Sequence, residues 1–105
     1  MPDVSYRSCA FRGLDQAAVL RAVRERGWAP ATFTDPPGAI YPPHRHATAI
    51  LLVFLAGDMT VTIAGRTYHC VAEDELVIAG EVEHAAVVGA DGCTCGWSEQ
   101  MREPG

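Results

Sequence analysis

Basic runs are missing from this chain. Its 105 residues carry 8 Lys or Arg against 13 Asp or Glu, a formal charge of −5. The electropositive footprint of a nucleic-acid binder is therefore absent, and no nucleic acid is expected as a partner. Long apolar runs are missing too. The longest, residues 49–56, falls well short of the roughly 20 residues that a membrane-crossing helix needs. The stretch from Met1 to Leu14 lacks the apolar core of a signal peptide. A cytoplasmic location with no membrane partner follows as the expectation. No internal repeat, low-complexity tract, phosphate-cradling glycine loop, Ser-His-Asp order or catalytic carboxylate pair stands out. Cysteine is sparse, with four in the chain. Cys93-Thr94-Cys95 puts one residue between two thiols where a zinc knuckle has two to four, so the expectation is small apolar thiols packed in a strand of a protein kept reduced. Glu73-Asp74-Glu75 reads as an acidic, solvated turn.

What is present suits one folded domain. Apolar residues make up 49% and charged residues 20% of the chain, which removes the case for disorder, and a chain of this length builds one core and not two. From Leu14 to Arg26, Leu14, Ala17, Ala18, Ala22 and Val23 recur at helical spacing. Asp15 stands near the start and Gly27 after the end. After this amphipathic helix the prolines at 30, 36, 37, 42 and 43 permit short edge strands and loops but no helix. From Thr48 onward strand candidates follow at 48–56, 58–63, 66–71, 75–79, 84–89 and 93–98. They are separated by turn residues such as Gly57-Asp58 and Ala64-Gly65. Even spacing of short strands predicts a barrel or sandwich. In Met59-Thr60-Val61-Thr62-Ile63 the alternation puts the apolar three on a buried face and the threonines opposite.

Two of the four histidines form His44-Arg45-His46. On an extended strand, residues two apart share a face and lie roughly 6.6 Å apart along the chain, so two imidazoles can converge on one ion. The same parity carries Ile50, Leu52 and Phe54 to that face, which makes it an interior one. Buried imidazoles need partners, and a metal is one candidate. His69, between the inward positions Tyr68 and Cys70, is expected to point outward.

Gly38, five residues, His44-Arg45-His46, three residues, Ile50, six residues and Gly57 resemble the first motif of the cupin family, with Ile50 where that motif carries a glutamate. Fifteen residues on, the stretch from Glu73 to His84 resembles the second motif in Asp74, its apolar run and His84, but not in the motif's glycines and proline. The resemblance spans about Thr32 to Trp97. It implies an all-β fold, a cupin-type β-barrel (double-stranded β-helix or jelly roll), here with one N-terminal α-helix. The expected layout is an N-terminal segment 1–30 carrying the helix, a barrel over 31–98 and a tail at 99–105. It further implies a metal site of His44, His46 and His84 for one divalent transition metal, Fe, Zn, Ni, Cu or Mn. Without the carboxylate, three neutral imidazoles leave the ion its full divalent charge. The opposing reading is a barrel whose histidines are remnants.

Beside that site, parity places Ala86 and Val88 in the lining with Ile50, Leu52 and Phe54. Tyr41 is a candidate for the mouth, against packing on the barrel rim, and the resemblance puts Cys95 on a late strand, either near the metal or packed in the core. The outward residues Leu51, Val53 and Leu55 are as apolar as the inward ones, so either the helix or a second subunit must cover them. A homodimer is the expectation. Two functions remain open on the sequence. One is a metal-dependent enzyme of dioxygenase type acting on a small organic molecule. The other is a non-catalytic small-ligand-binding or sensing module.

Overall fold

The computed structural model describes residues 3–100. Its elements are β1 (Val4–Arg7), α1 (Gln16–Glu25), β2 (Ala31–Asp35), β3 (Ile40–His44), β4 (Ile50–Ile63), β5 (Arg66–Val71), β6 (Glu75–Ile78) and β7 (His84–Glu99). The strands are antiparallel throughout, and β4 and β7 pair along most of their lengths. Each of these long strands serves two sheets. The first half of β4 and the second half of β7 lie in the order β1-β6-β4-β7-β2. The other halves continue between β5, on the β4 side, and β3, on the β7 side. The two sheets face each other around one apolar core.

A strand that passes from one sheet to the facing one must turn its inward side chains over, or half of them would end in solvent. β4 does this at a bulge. Ile50, Leu52 and Phe54 face inward before it and Met59, Val61 and Ile63 after it, a change of parity. β7 changes parity in the same way, from His84, Ala86 and Val88 to Cys93 and Cys95. Sequence reading puts strand ends at Gly57-Asp58 and after residue 89. The structure keeps both strands continuous there, because a bend and a turn ask for the same residues: Gly57 has φ +72° and Gly92 φ +78°, values open to glycine at little cost.

The helix starts at Asp15, whose carboxylate accepts the Ala18 N–H at 2.8 Å. Its buried face is Val19 and Val23, packed with Phe11 against Leu51 and Val53, whereas Leu14 and Ala17 are exposed. The sequence-based apolar face is thus rotated, because the helical pattern allowed two stripes and the sheet decides between them. Leu51 and Val53 are completely buried by this packing, so the apolar stripe that suggested a second subunit has its cover within the chain. Among the described residues, no helix is long and apolar enough to cross a membrane.

The N-terminal segment is stitched to the barrel by the acidic turn, in which Asp74 and Glu75 are buried and not solvated, while Glu73 is half-buried. Asp74 accepts from the Tyr6 hydroxyl at 2.6 Å, the Cys9 N–H at 2.9 Å and the Val71 N–H at 3.0 Å. Glu75, on β6, pairs with Arg7 and Arg26, and Glu73 accepts the Gly13 N–H. The phenol of Tyr6 is pushed up to about 12, by burial first and then by the Asp74 carboxylate, and so stays a donor. Of the tail placed at 99–105, Glu99 ends β7, and residues 101–105 lie outside the described residues.

Candidate metal centre

His44 closes β3 directly opposite His84, which opens β7. Pro42 and Pro43 precede His44, and having no N–H to give the ladder they leave it irregular between Tyr41 and His44. This frees the Pro42 carbonyl to accept from His44 Nδ1 at 2.7 Å. The Val82 carbonyl does the same for His84 Nδ1 at 3.0 Å. A carbonyl only accepts, so both rings carry the proton on Nδ1 and turn an Nε2 lone pair inward. Carbonyl-held imidazoles of this kind are the usual outer support of a metal ligand.

His46 arrives by another route than the sequence suggests. It lies past the end of β3, so simple strand alternation does not set its direction. Its carbonyl accepts the Glu81 N–H at 2.7 Å, and Gly80 lets the two loops meet: a Cβ there would stand 2.7 Å from the Ala47 carbonyl oxygen. The ring then lies 5.1 Å from that of His44 and 5.3 Å from that of His84, with Trp97 at 5.9 Å, while His44 and His84 are 4.3 Å apart. One nitrogen from each histidine falls within 4.8 Å of the others. Bonds of roughly 2.0–2.1 Å to one ion put such nitrogens about 3–3.4 Å apart, so closing the triad needs about an ångström of ring movement. The donor set fits a divalent ion. Ile50, in the place of the motif's glutamate, is buried and offers no ligand.

Below the triad lies a chamber of about 330 Å³. Of the residues expected in its wall, Tyr41, Ile50, Leu52 and Ala86 line it. Phe54, Val88 and Cys95 do not, since they are packed into the core beneath. Parity gave their face correctly but says nothing of depth. The Cys95 thiol, wholly buried near Cys93, has its pKa driven upward, first by the Cys93 thiol and then by burial. It stays protonated and away from the triad. Sequence reading missed Phe33 and Trp97, which also form the wall, as do Met59 and Val61. Trp97 shares the parity of Cys93 and Cys95, a signal that was there to use. The Tyr41 hydroxyl donates to Asp35 at 2.7 Å, so it braces β3 to β2. His69 is exposed and bonded to Asp58, and Cys9, Cys70, Cys93 and Cys95 are free thiols.

The sequence profile described as the AraC-like ligand binding domain matches residues 31–102. The chain belongs to this family. The match covers both long strands and all three histidines of the triad. Among curated proteins none matches. The AraC-like domain here is similar in structure to a cupin superfamily protein from Desulfitobacterium hafniense, with a TM-score of 0.64 and 16% identity over 94% of this chain and 78% of that one. It is also similar to an RmlC-like cupin from Shewanella frigidimarina, at 0.61 and 21% over 72% and 68% of the two chains, and to a cupin protein from Bacteroides fragilis, at 0.56 and 25% over 72% and 69%. The AraC-like domain is therefore a small cupin with a jelly-roll barrel.

Burial lowers the pKa of His46 and of His84, the neighbouring imidazoles adding to the effect; Glu99 opposes it at His46 and the Val82 carbonyl at His84. The unfolded chain, with histidines near 6.5, then binds more protons than the folded chain between those lowered values and 6.5. Stability accordingly rises with pH across that window. It is complete above about 6.5 and is lost as pH falls through the folded values. Metal-free protein is expected to melt at a lower temperature at pH 5.5 than at pH 7.5, and a His46→Ala, His84→Ala double variant is expected to show a smaller difference. An equal pH response in the two proteins would contradict this.

Proposed function

We propose that this cupin binds one divalent transition metal through His44, His46 and His84 and acts on a small organic molecule held in the chamber below, as a metal-dependent enzyme of dioxygenase type. The observation that carries this reading is the convergence of three imidazoles, two of them fixed by backbone carbonyls, over an apolar cavity. An ion bound by three neutral imidazoles keeps its whole charge, acts as a Lewis acid and has positions free for an anionic group. The residues of the chain do the rest. The Pro42 and Val82 carbonyls hold two ligands in the right tautomer, Ile50 withholds a carboxylate, and the apolar wall excludes water from the bound molecule. The second reading is a non-catalytic ligand-binding module. One observation favours it: the described lining contains no acid or base besides the imidazoles, and the one phenol is committed to Asp35.

The test is elemental analysis of untagged protein purified without chelator, beside the His46→Ala, His84→Ala double variant prepared identically. Near one metal ion per chain is expected in the parent and at most a few per cent of that in the variant, with both proteins melting cooperatively. Metal in neither, even after reconstitution with each candidate ion, would sink the proposal and leave the ligand-binding module. Oxygen uptake on screening thiols, diketones and organic acids with the loaded protein then separates catalysis from binding alone.

A further inference from the structure

We infer that the chamber selects a compact, mostly apolar molecule bearing a single anionic or chelating head, and that it rejects sugars, sugar acids and phosphorylated compounds. The inference rests on the metal reading for the head and is independent of it for the body. Beneath the imidazoles the wall is hydrocarbon and aromatic: Leu52, Trp97 and Phe33 from one sheet, Met59 and Val61 from the facing one. Among the described residues no arginine, carboxylate, amide or aliphatic hydroxyl lines it, and the one phenol there already donates its hydrogen bond to Asp35. A polyol entering such a space gives up its bonds to water and regains almost none, and every unpaired hydroxyl weighs against binding. Among the described residues a phosphate finds no guanidinium: Arg7 and Arg26 are engaged by Glu75 on the far side of the sheet, and no other described arginine is in the lining. What the wall can recognise is apolar surface, by removing it from water. Among the described lining residues the groups able to bind an anionic or chelating head are the imidazoles, at one end, with the Trp97 indole N–H and the Tyr41 oxygen as the other polar atoms, so the molecule that fits has one head and a mostly apolar body. At about 330 Å³ the chamber stands at the small end of small-molecule sites, which limits the body to about one ring or a short chain.

The two tryptophans allow a clean readout. Trp28 packs at the helix and Trp97 lines the chamber, so Trp28→Phe leaves Trp97 as the one reporter. Benzohydroxamate, acetohydroxamate and glucuronate are titrated into this variant, zinc-loaded and metal-free, by fluorescence and calorimetry, with zinc content measured before and after. Benzohydroxamate is expected to bind the loaded protein at least tenfold more tightly than acetohydroxamate, which has the same head and almost no body, with glucuronate the weakest of the three. Val61→Thr, nearly the same shape but polar, should narrow the gap between the hydroxamates at least threefold. Equal affinities for the two hydroxamates, or tighter binding of glucuronate, would overturn the inference while leaving the metal site standing. A preference for benzohydroxamate that is the same with and without zinc would uphold the apolar chamber and count against the metal. No binding of either hydroxamate to fully loaded protein would overturn the inference as well.

Discussion

Gly57→Ala will destabilise the protein by about 3–5 kcal/mol, whereas Gly38→Ala will cost only about 1 kcal/mol. The two glycines have nearly the same backbone, φ +72° and +75°, so the left-handed penalty of a side chain is common to both. They differ in space. A Cβ on Gly38 meets nothing within 4 Å, whereas one on Gly57 would lie 2.0 Å from the Gly92 carbonyl oxygen and 2.8 Å from its carbon. Those atoms are backbone of β7 at its own bend, and they cannot swing aside. Relief requires β4 and β7 to separate where the chain passes between the two sheets, and that crossing sets the parity of the chamber wall: Leu52 precedes it and Met59 and Val61 follow it. Urea unfolding of both variants checks the contrast. Equal losses would mean that conformation alone, and not the crossing, makes Gly57 necessary. If Gly57→Ala yields no folded protein, Gly92→Ala serves in its place: its Cβ meets the Asp35 carbonyl oxygen at 2.9 Å, so a loss between the other two is expected.

This crossing also shows what sequence could and could not reveal. The alternation Met59-Thr60-Val61-Thr62-Ile63 gave the inner face correctly, because a two-residue period is local. Gly57 reads locally as a strand end, because glycine marks bends and turns alike. The pairing of histidines 44 and 46 is legible from spacing, but the direction of His46, past the end of β3, is set by the loop and not by strand alternation. That His84 stands opposite His44 is a matter of strand register between residues forty positions apart, and it came only through the cupin resemblance. The depth of Phe54, Val88 and Cys95 was illegible for the same kind of reason: parity names a side of the sheet, and the packing of the opposite sheet decides which residues border empty space. The cover of Leu51 and Val53 was narrowed to two candidates, and the choice of the helix needed its true face, Val19 and Val23, to be known.

Asp74→Ala will cost about 4 kcal/mol and lower the melting temperature by about 15–25 °C. The residue sits in what reads locally as an acidic surface turn, yet it is fully buried, and its partners Tyr6 and Cys9 lie more than sixty residues away. Three donors point at one carboxylate, and two of them, the Cys9 and Val71 N–H groups, are backbone and cannot turn elsewhere. Deleting the acceptor leaves them facing apolar surroundings, the costly side of hydrogen bonding. Tyr6→Phe removes one donor together with its need for a partner and is expected to lose only about 1 kcal/mol. Asp74→Asn should fall between the two, because its amide turns a donor toward a donor at one oxygen position whichever way it is placed. Since β1 and the segment carrying Cys9 are joined to the barrel through this carboxylate, trypsin should cut Asp74→Ala at Arg7 or Arg12 under native conditions much faster than it cuts the parent. Glu75→Gln serves as the comparison: its partners Arg7 and Arg26 are 56% and 42% exposed and can return to water, which discounts the loss to about 1–2 kcal/mol. An Asp74→Ala protein as stable as Tyr6→Phe would show that water replaces the carboxylate, and that the N-terminal strand is held by its pairing with β6 alone.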